Sequence, residues 1–169
     1  MPAVGDVYAL TPSERLTVRS LTPDLLVVDA EWAPVEIRPI AHHHPVQDEH
    51  FEIHAGELTA EVDGKRRVLR AGDTLDIPRG TAHKMWNSGD VAARATWEVR
   101  PAGQTAEMWA AMDAARRRPG ATDKHGMLTP LAAAPILKTY RDAFRLALPA
   151  PVERVAITAL AAAGRARGH

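Results

Sequence analysis

The sequence predicts a mainly β domain over residues 1–103 and an α-helical extension over residues 104–169. Apolar and polar side chains alternate along several short runs between residues 25 and 99, as in half-buried strands. Turns rich in glycine and proline separate these runs. After Gln104 the apolar residues recur at helical spacing instead, which indicates a change of structural class within the chain.

The first 24 residues are typical of edge strands. Pro2, Pro12 and Pro23 interrupt two short apolar pieces, Val7–Leu10 and Leu16–Val18, and proline within a sheet is confined mostly to edges. We expect this segment either to extend the sheet or to pair with a second subunit.

The next runs predict the strands of a barrel. Leu25–Asp29 forms a compact apolar strand, and Glu49, Phe51 and Ile53 share one parity, so they face one interior. Asp63-Gly64 is typical of a two-residue type I′ hairpin turn, which needs positive φ at both central positions. The last strand alternates and closes the barrel through Ala93, Ala95, Trp97 and Val99.

Three imidazoles and one carboxylate suggest a metal site. Residues i and i+2 of a strand share a face about 6.6 Å apart, so His42 and His44 can lean onto one ion while His43 points away. Glu49 and His83 lie on neighbouring runs with matching parity. The predicted metal ligands are His42, His44, Glu49 and His83.

This stretch resembles both signature motifs of the cupin superfamily. The first motif reads His42-x-His44, four residues, Glu49, six residues and Gly56. The second reads Gly72, five residues, Pro78-x-Gly80, two residues, His83, three residues and Asn87. Glu36 departs from the pattern, because a glycine often stands six positions before the first histidine. The resemblance covers roughly residues 25–100 and implies a cupin double-stranded β-helix, or jelly-roll, barrel. The alternative is a degenerate barrel that keeps these residues and binds no metal.

Apolar side chains around the predicted ligands suggest a pocket for a small aromatic or otherwise apolar molecule with a few oxygens. Trp97 can line this pocket or be an ordinary core residue. Arg38 can offer a charge to an anionic substrate, although a solvated arginine at the barrel rim is the simpler interpretation. Asn87 is expected to hold a turn rather than to catalyse. The predicted pocket residues are Arg38, Phe51, Ile53, Met85 and Trp97.

Three helices are expected in the extension. The first covers Glu107–Arg118, with Met108, Trp109 and Met112 on one stripe, the second runs from about Pro135 to Leu148, and the third opens at Pro151. We expect these helices to cover a sheet face or a dimer partner. The alternative is a lid that places one aromatic residue over the metal pocket: Trp109, Tyr140 or Phe144.

Composition limits the partners. Lysine plus arginine balances aspartate plus glutamate, 21 against 21, so no net field attracts nucleic acid or an anionic membrane. The absence of cysteine excludes thiol catalysis, disulfides and thiolate ligation. No apolar run reaches the length of about 20 residues that spans a bilayer. We expect a cytoplasmic protein with a small-molecule substrate and, by resemblance, a homodimer.

The predicted ligand set suits a divalent transition metal: Fe, Mn, Ni, Co, Cu or Zn. The resemblance favours a metal-dependent oxidoreductase of the quercetin-dioxygenase branch, in which Glu49 is both ligand and catalytic proton acceptor. One alternative is a non-oxidative lyase, cyclase or isomerase in which a metal polarises a carbonyl. The other is a binding or sensing barrel without catalysis.

Overall fold

The computed structural model describes residues 1–35 and 38–168. Within them the strands form two antiparallel sheets that share one hydrophobic core. The strands are β1 Val7–Thr11, β2 Glu14–Leu21, β3 Leu26–Trp32, β4 His42–His43, β5 Asp48–Ala55, β6 Glu57–Val62, β7 Lys65–Arg70, β8 Thr74–Ile77, β9 His83–Trp86, β10 Ala93–Arg100 and β11 Arg145–Leu146. The helices are α1 Thr105–Arg116, α2 Pro130–Thr139 and α3 Ala150–Ala166.

The two sheets have the strand orders β1-β2-β3-β10-β5-β8 and β11-β4-β9-β6-β7. β1 and β2 extend the first sheet at its edge. This is the first of the two arrangements that we expected for the N-terminal segment. The short strand β11, from the extension, joins the edge of the second sheet beside β4. The prediction of a jelly-roll barrel with a helical extension is therefore confirmed.

Period-two alternation predicted the buried face of the barrel correctly. Glu49, Phe51 and Ile53 are buried along β5, while His54 points outward. The turn between β6 and β7 has positive φ at both Asp63 and Gly64, as a type I′ hairpin requires. Local sequence chemistry thus sets the register of the strands that carry the candidate site.

Helix α1 confirms the first predicted helix and closes one part of the core. Met108 and Trp109 are buried, and the Trp109 ring lies 4.9 Å from the ring of Trp97 in β10, centroid to centroid. Because α1 shares the core of the barrel, the division into two domains at residue 103 stays a prediction.

The predicted second helix is wrong in its bounds. It begins at Pro130, where the Thr129 side chain accepts a hydrogen bond from the Ala132 N–H, and it ends at Thr139. Threonine is preferred at the N-cap and proline in the first turn, so Thr129-Pro130 is a strong helix start signal. The helix begins there, and Pro135 lies inside it. The third helix opens with Pro151 in its first turn, as predicted.

Helices α2 and α3 pack closely at Gly164. Pro135 has no N–H to donate to the carbonyl oxygen of Leu131, one turn earlier, so this oxygen has lost its usual helical donor. Gly164 of α3 lies against it, because a Cβ added to Gly164 would stand only 2.2 Å from the Leu131 oxygen. Glycine is required here for the close approach of the two backbones.

We expect Gly164→Ala to destabilise the protein, by about 2 kcal/mol of unfolding free energy. Alanine improves helix propensity by about 1 kcal/mol. Overpacking costs about 1–3 kcal/mol, and the cost should lie near the upper end because a backbone atom, which cannot move aside easily, makes the contact. Urea denaturation followed by circular dichroism measures the change. The control Ala162→Gly, on the exposed side of α3, weakens helix propensity yet should cost less. A Gly164→Ala protein as stable as the parent would contradict the close contact.

Three sequence expectations concern the segment before β4 and the wider chain. Glu36 and its side-chain direction lie outside the described residues. Arg38 is exposed, in agreement with the simpler interpretation of a solvated rim arginine. In the described part of the chain, no helix combines the length and the hydropathy needed to cross a bilayer.

Candidate metal centre

The four predicted ligands come together between the two sheets. The second sheet supplies His42 in β4 and His83 in β9, which pair directly across the strands, and His44 follows β4. One nitrogen from each of these three histidines lies within 4.8 Å of the others. Glu49 approaches from β5 of the first sheet, with oxygens 3.3 Å from His44 Nε2 and 3.0 Å from His83 Nε2. His43 stays outside this cluster, as alternation predicts.

Backbone carbonyls orient all three imidazoles. The Nδ1 atoms of His42 and His83 lie 3.2 and 2.9 Å from the carbonyl oxygen of the residue two positions earlier. His44 Nδ1 lies 2.5 Å from the carbonyl oxygen of Ala143. Because a carbonyl oxygen only accepts, each Nδ1 carries a proton and donates. The Nε2 atoms are thus left as the lone-pair nitrogens, which is how metal-binding histidines are commonly held.

Two buried atoms at the centre have no hydrogen-bond partner among the described residues: His44 Nε2 and Glu49 Oε2. Glu49 Oε1 accepts from the indole N–H of Trp97 at 3.1 Å. Lone pairs of nitrogen and oxygen therefore face each other in a buried space, and only a proton or a cation between them relieves the repulsion. Three imidazoles and one carboxylate are suitable ligands for a divalent transition metal, so the residues present fit such an ion.

The charges of the cluster depend on one another. Burial alone raises the pKa of the Glu49 carboxyl, but His44, His83 and the Trp97 N–H hold it below its ordinary value. Burial alone lowers the pKa of His83, but the Glu49 carboxylate reverses this effect and raises it. The pKa of His42 lies well below its ordinary value, because of burial and the neighbouring imidazoles. The pKa directions of Glu49 and His83 therefore depend on the direct contact between the two side chains.

We expect metal affinity to fall as the pH is lowered from 8 to 5. A metal must displace the proton from His83, whose pKa is raised, so each displaced proton weakens apparent affinity about tenfold per pH unit below that pKa. Competition of Zn²⁺ between the protein and a chelator of known affinity, at several pH values, measures the slope. Affinity that does not change over this range would contradict ligation by these histidines.

A segment of the extension, Ala143–Ala147, covers the centre. Its Ala143 carbonyl orients His44, and the Phe144 ring stacks on His42 at 4.5 Å with an interplanar angle of 18°. Arg145 and Leu146 form β11, and the Ala147 N–H donates to the carbonyl of Ala41. The extension thus contributes directly to the candidate site and does more than cover a sheet.

Of the three aromatic residues considered for a lid, Phe144 is the one in contact with the metal centre. Trp109 is buried in the core against Trp97. Tyr140 lines a different cavity, between α1 and α2. The lid interpretation is therefore supported for Phe144 alone.

A cavity of 80 Å³ opens beside two of the predicted metal ligands, His42 and His83. Phe51, Met85 and Trp97 line it as predicted, and Trp97 is both a core residue and a pocket residue. Ile53 is buried in the core and Arg38 is exposed above the ring of Trp86, and neither belongs to the described lining. The full lining is Glu14, Trp32, Pro39, His42, Phe51, His83, Met85 and Trp97.

A larger cavity of 420 Å³ adjoins the small one. Both are lined by Glu14, Trp32, Pro39 and Met85, so these four residues stand where the cavities meet. The outer cavity adds Ser13 from the β1–β2 turn, Trp86 from β9, and His125 and Met127 from the extension. The two cavities together provide room for a small aromatic molecule next to the metal ligands.

Sequence reasoning missed Glu14. It shares its parity with Leu16 and Val18, which are buried along β2, and this carboxylate on a buried face was the available signal. Its Oε1 accepts from the indole N–H of Trp32 at 3.1 Å. Burial raises the pKa of Glu14 to about 7; the Trp32 hydrogen bond lowers it and the Glu49 charge adds to the increase.

Asn87 holds a turn, as expected. Its buried amide donates to the carbonyls of Trp32 at 2.8 Å and Val91 at 2.7 Å, and its Oδ1 accepts from the Gly89 N–H. These bonds connect the end of β3 to the loop after β9. Asn87 thereby fixes the wall of the outer cavity.

Comparison with known proteins agrees with the fold. A family model described as "Cupin domain" matches residues 28–99. The chain is 36% identical over 98 residues to protein SchB of Streptomyces halstedii, covering 57% of this chain and 67% of that protein. It is 35% identical over 108 residues to polyketide synthase CurC of Streptomyces cyaneus, covering 59% of this chain and 70% of that protein. This chain belongs to the cupin superfamily.

The solved structure of KdgF from Halomonas sp. superposes with a TM-score of 0.54 at 21% identity, over 59% of this chain and 91% of that one. This likeness concerns the fold alone. Matches span 39% to 70% of the length of curated relatives. Membership of the quercetin-dioxygenase branch stays a prediction.

Proposed function

We propose that this protein is a metal-dependent enzyme that binds a small aromatic, polyketide-type molecule through two neighbouring oxygen atoms. The observation that supports this most is the cluster of His42, His44, His83 and Glu49, which has two unpaired buried atoms and reaches the wall of an aromatic cavity through His42 and His83. When bound, a divalent metal supplies Lewis acidity and a template for substrate oxygens.

The reaction that we favour is non-oxidative: a proton is removed next to a carbonyl, as in a cyclase, isomerase or lyase. The indole N–H of Trp97 fixes one oxygen of Glu49, and backbone carbonyls fix the imidazoles, so the ligands keep their geometry without reorganisation. Phe51 and Trp32 make the cavity apolar, which limits competing water. The name of the relative CurC, a polyketide synthase, supports the substrate class.

The second candidate is a dioxygenase-like oxidoreductase. It is favoured by the same ligand set, which also suits redox-active iron, copper or nickel, and by the apolar walls around it. In that case Glu49 accepts the proton of a substrate hydroxyl. Metal identity and oxygen uptake distinguish the two reactions.

The test uses ortho-hydroxyacetophenone, in which phenol and ketone oxygens can chelate one ion, with the para isomer as the control that cannot. The favoured function predicts metal-dependent binding of the ortho isomer and exchange of its methyl hydrogens for deuterium in heavy water, followed by proton NMR. An oxygen electrode with the iron- or copper-loaded protein and a flavonol tests the second candidate. Equal binding of both isomers, with or without metal, would overturn the proposal.

A further inference from the structure

We infer that Glu14 is a second catalytic carboxyl group, which exchanges a proton with the substrate where the two cavities meet. This inference rests on the proposed function. The N-terminal hairpin would then supply a proton-exchanging group in addition to the metal ligands.

The position of Glu14 in the fold supports a catalytic role. Glu14 opens β2 directly after the β1–β2 turn and lines both the 80 Å³ cavity beside His42 and His83 and the 420 Å³ cavity outside it. A molecule with one end at the metal ligands and its body in the outer cavity must pass this carboxyl group. A general acid or base needs such proximity before any other property.

Orientation supports it next. The Trp32 indole N–H donates to Glu14 Oε1 at 3.1 Å, and no ion pair is found for this carboxyl group among the described residues. One oxygen is thus anchored, while the other keeps its proton affinity. Arg15, the next residue, is exposed on the opposite face of β2 and does not neutralise it. A purely structural carboxylate at this partly buried position would be expected to have a cationic partner.

The charges around Glu14 favour proton exchange near neutral pH. Glu49 opposes its ionisation, and burial raises its pKa to about 7. The other titratable groups of the two cavities are His42 and His83 in the inner one and His125 in the outer one. An acid whose pKa lies close to the working pH can both accept and return a proton.

The step is balanced with the residues named. A C–H bond next to the substrate carbonyl breaks, its proton forms an O–H bond on Glu14, and the electron pair moves onto the carbonyl oxygen. Return of the proton to another carbon, or to solvent, regenerates the carboxylate. No oxidant or reductant is needed.

Glu14→Gln tests the inference, with Glu31→Gln as the matched control on an exposed position of β3. We expect deuterium exchange into ortho-hydroxyacetophenone to fall about 100- to 10,000-fold in Glu14→Gln, while metal-dependent binding of the compound is kept. With Zn²⁺ at a concentration that saturates the centre at every pH, the parental rate should rise through pH 7 as Glu14 loses its proton, and this limb should vanish in Glu14→Gln. Glu31→Gln should behave as the parent. An unchanged rate and pH profile in Glu14→Gln would overturn the role of Glu14 and leave the proposed function standing.

A second measurement needs no activity. The folded pKa of Glu14, about 7, exceeds the ordinary value of about 4.3 for an unfolded chain, so the folded protein binds this proton more tightly. Its contribution to stability is complete below the unfolded pKa and is lost as the pH rises towards 7. The Tm of the metal-free parent should therefore fall relative to that of Glu14→Gln between these pH values. A Tm difference between the two proteins that does not change with pH would show that Glu14 has an ordinary pKa and would overturn the inference. If the parent showed no metal-dependent binding of the probe, the proposed function and the inference would both be overturned.

Discussion

Replacing His83 with alanine is expected to lower the affinity for a divalent metal by at least about 100-fold, because even partners outside the ligand shell are worth about 10- to 100-fold. His83 pairs with His42 across the strands and lies 3.0 Å from Glu49, so its loss removes a ligand and opens one side of the centre. Competition with a chelator, followed by elemental analysis of the dialysed protein, measures the effect.

The variant should keep its β structure. The turn before β9 depends on Gly80, whose φ is +80°, and β9 pairs with β6 through its backbone. His50→Ala is the matched control, because His50 neighbours Glu49 in β5 but points away from the core and contacts Asp76 at 2.7 Å. If the His83→Ala protein retained metal at parental affinity, the proposed centre would be wrong.

Replacing Glu49 with glutamine is expected to affect the metal-free and metal-loaded proteins differently. Without metal at pH 8, the amide can donate to the Nε2 of His44 or His83, which offsets the loss of the carboxylate, so the free energy of unfolding should change little. With metal, the variant lacks the one anionic ligand. The stabilisation of about 4 kcal/mol that a ligand gives at 1,000 times its Kd should therefore fall by about 2.7 kcal/mol for a 100-fold loss of affinity.

Thermal denaturation with and without Zn²⁺ separates the two effects. Glu52→Gln, three positions further along β5 and exposed, should show the full increase in Tm with metal. A Glu49→Gln protein that gains as much Tm from Zn²⁺ as the parent would exclude Glu49 as a ligand. A large loss of stability without metal would show that its carboxylate is needed by the fold instead.

Sequence reasoning reached the ligands because their arrangement is encoded locally. Alternation along β5 and the single residue between His42 and His44 decide which side chains share a face, and backbone geometry alone sets that parity. The turns at Asp63-Gly64 and Gly80 need positive φ, which few residues accept, so their positions were also readable. These features fixed the parity of the side chains and the position of the β6–β7 turn before the structure was known.

The second helix shows where local signals compete. A capping threonine followed by proline at 129–130 and an internal Pro135 both suggest helix starts, and the capped start at Thr129 is the one that the structure has. Packing of α2 against Gly164 of α3 accommodates the carbonyl that Pro135 leaves without a donor. The close contact between Gly164 and the Leu131 carbonyl involves a helix about 30 positions away, so the local sequence pattern could not predict this contact.

By itself the sequence determined four candidate ligands, the strand parity that brings them together and the absence of thiol chemistry. The tertiary structure decided that Ala143, 99 positions from His44, orients that imidazole, that Phe144 covers His42 and that Glu14 enters the cavity wall. The physical reason is the range of the interactions. Backbone parity and turn geometry act over a few residues, whereas burial, hydrogen-bond pairing and the pKa of a carboxyl group depend on whichever distant segments the fold packs around it.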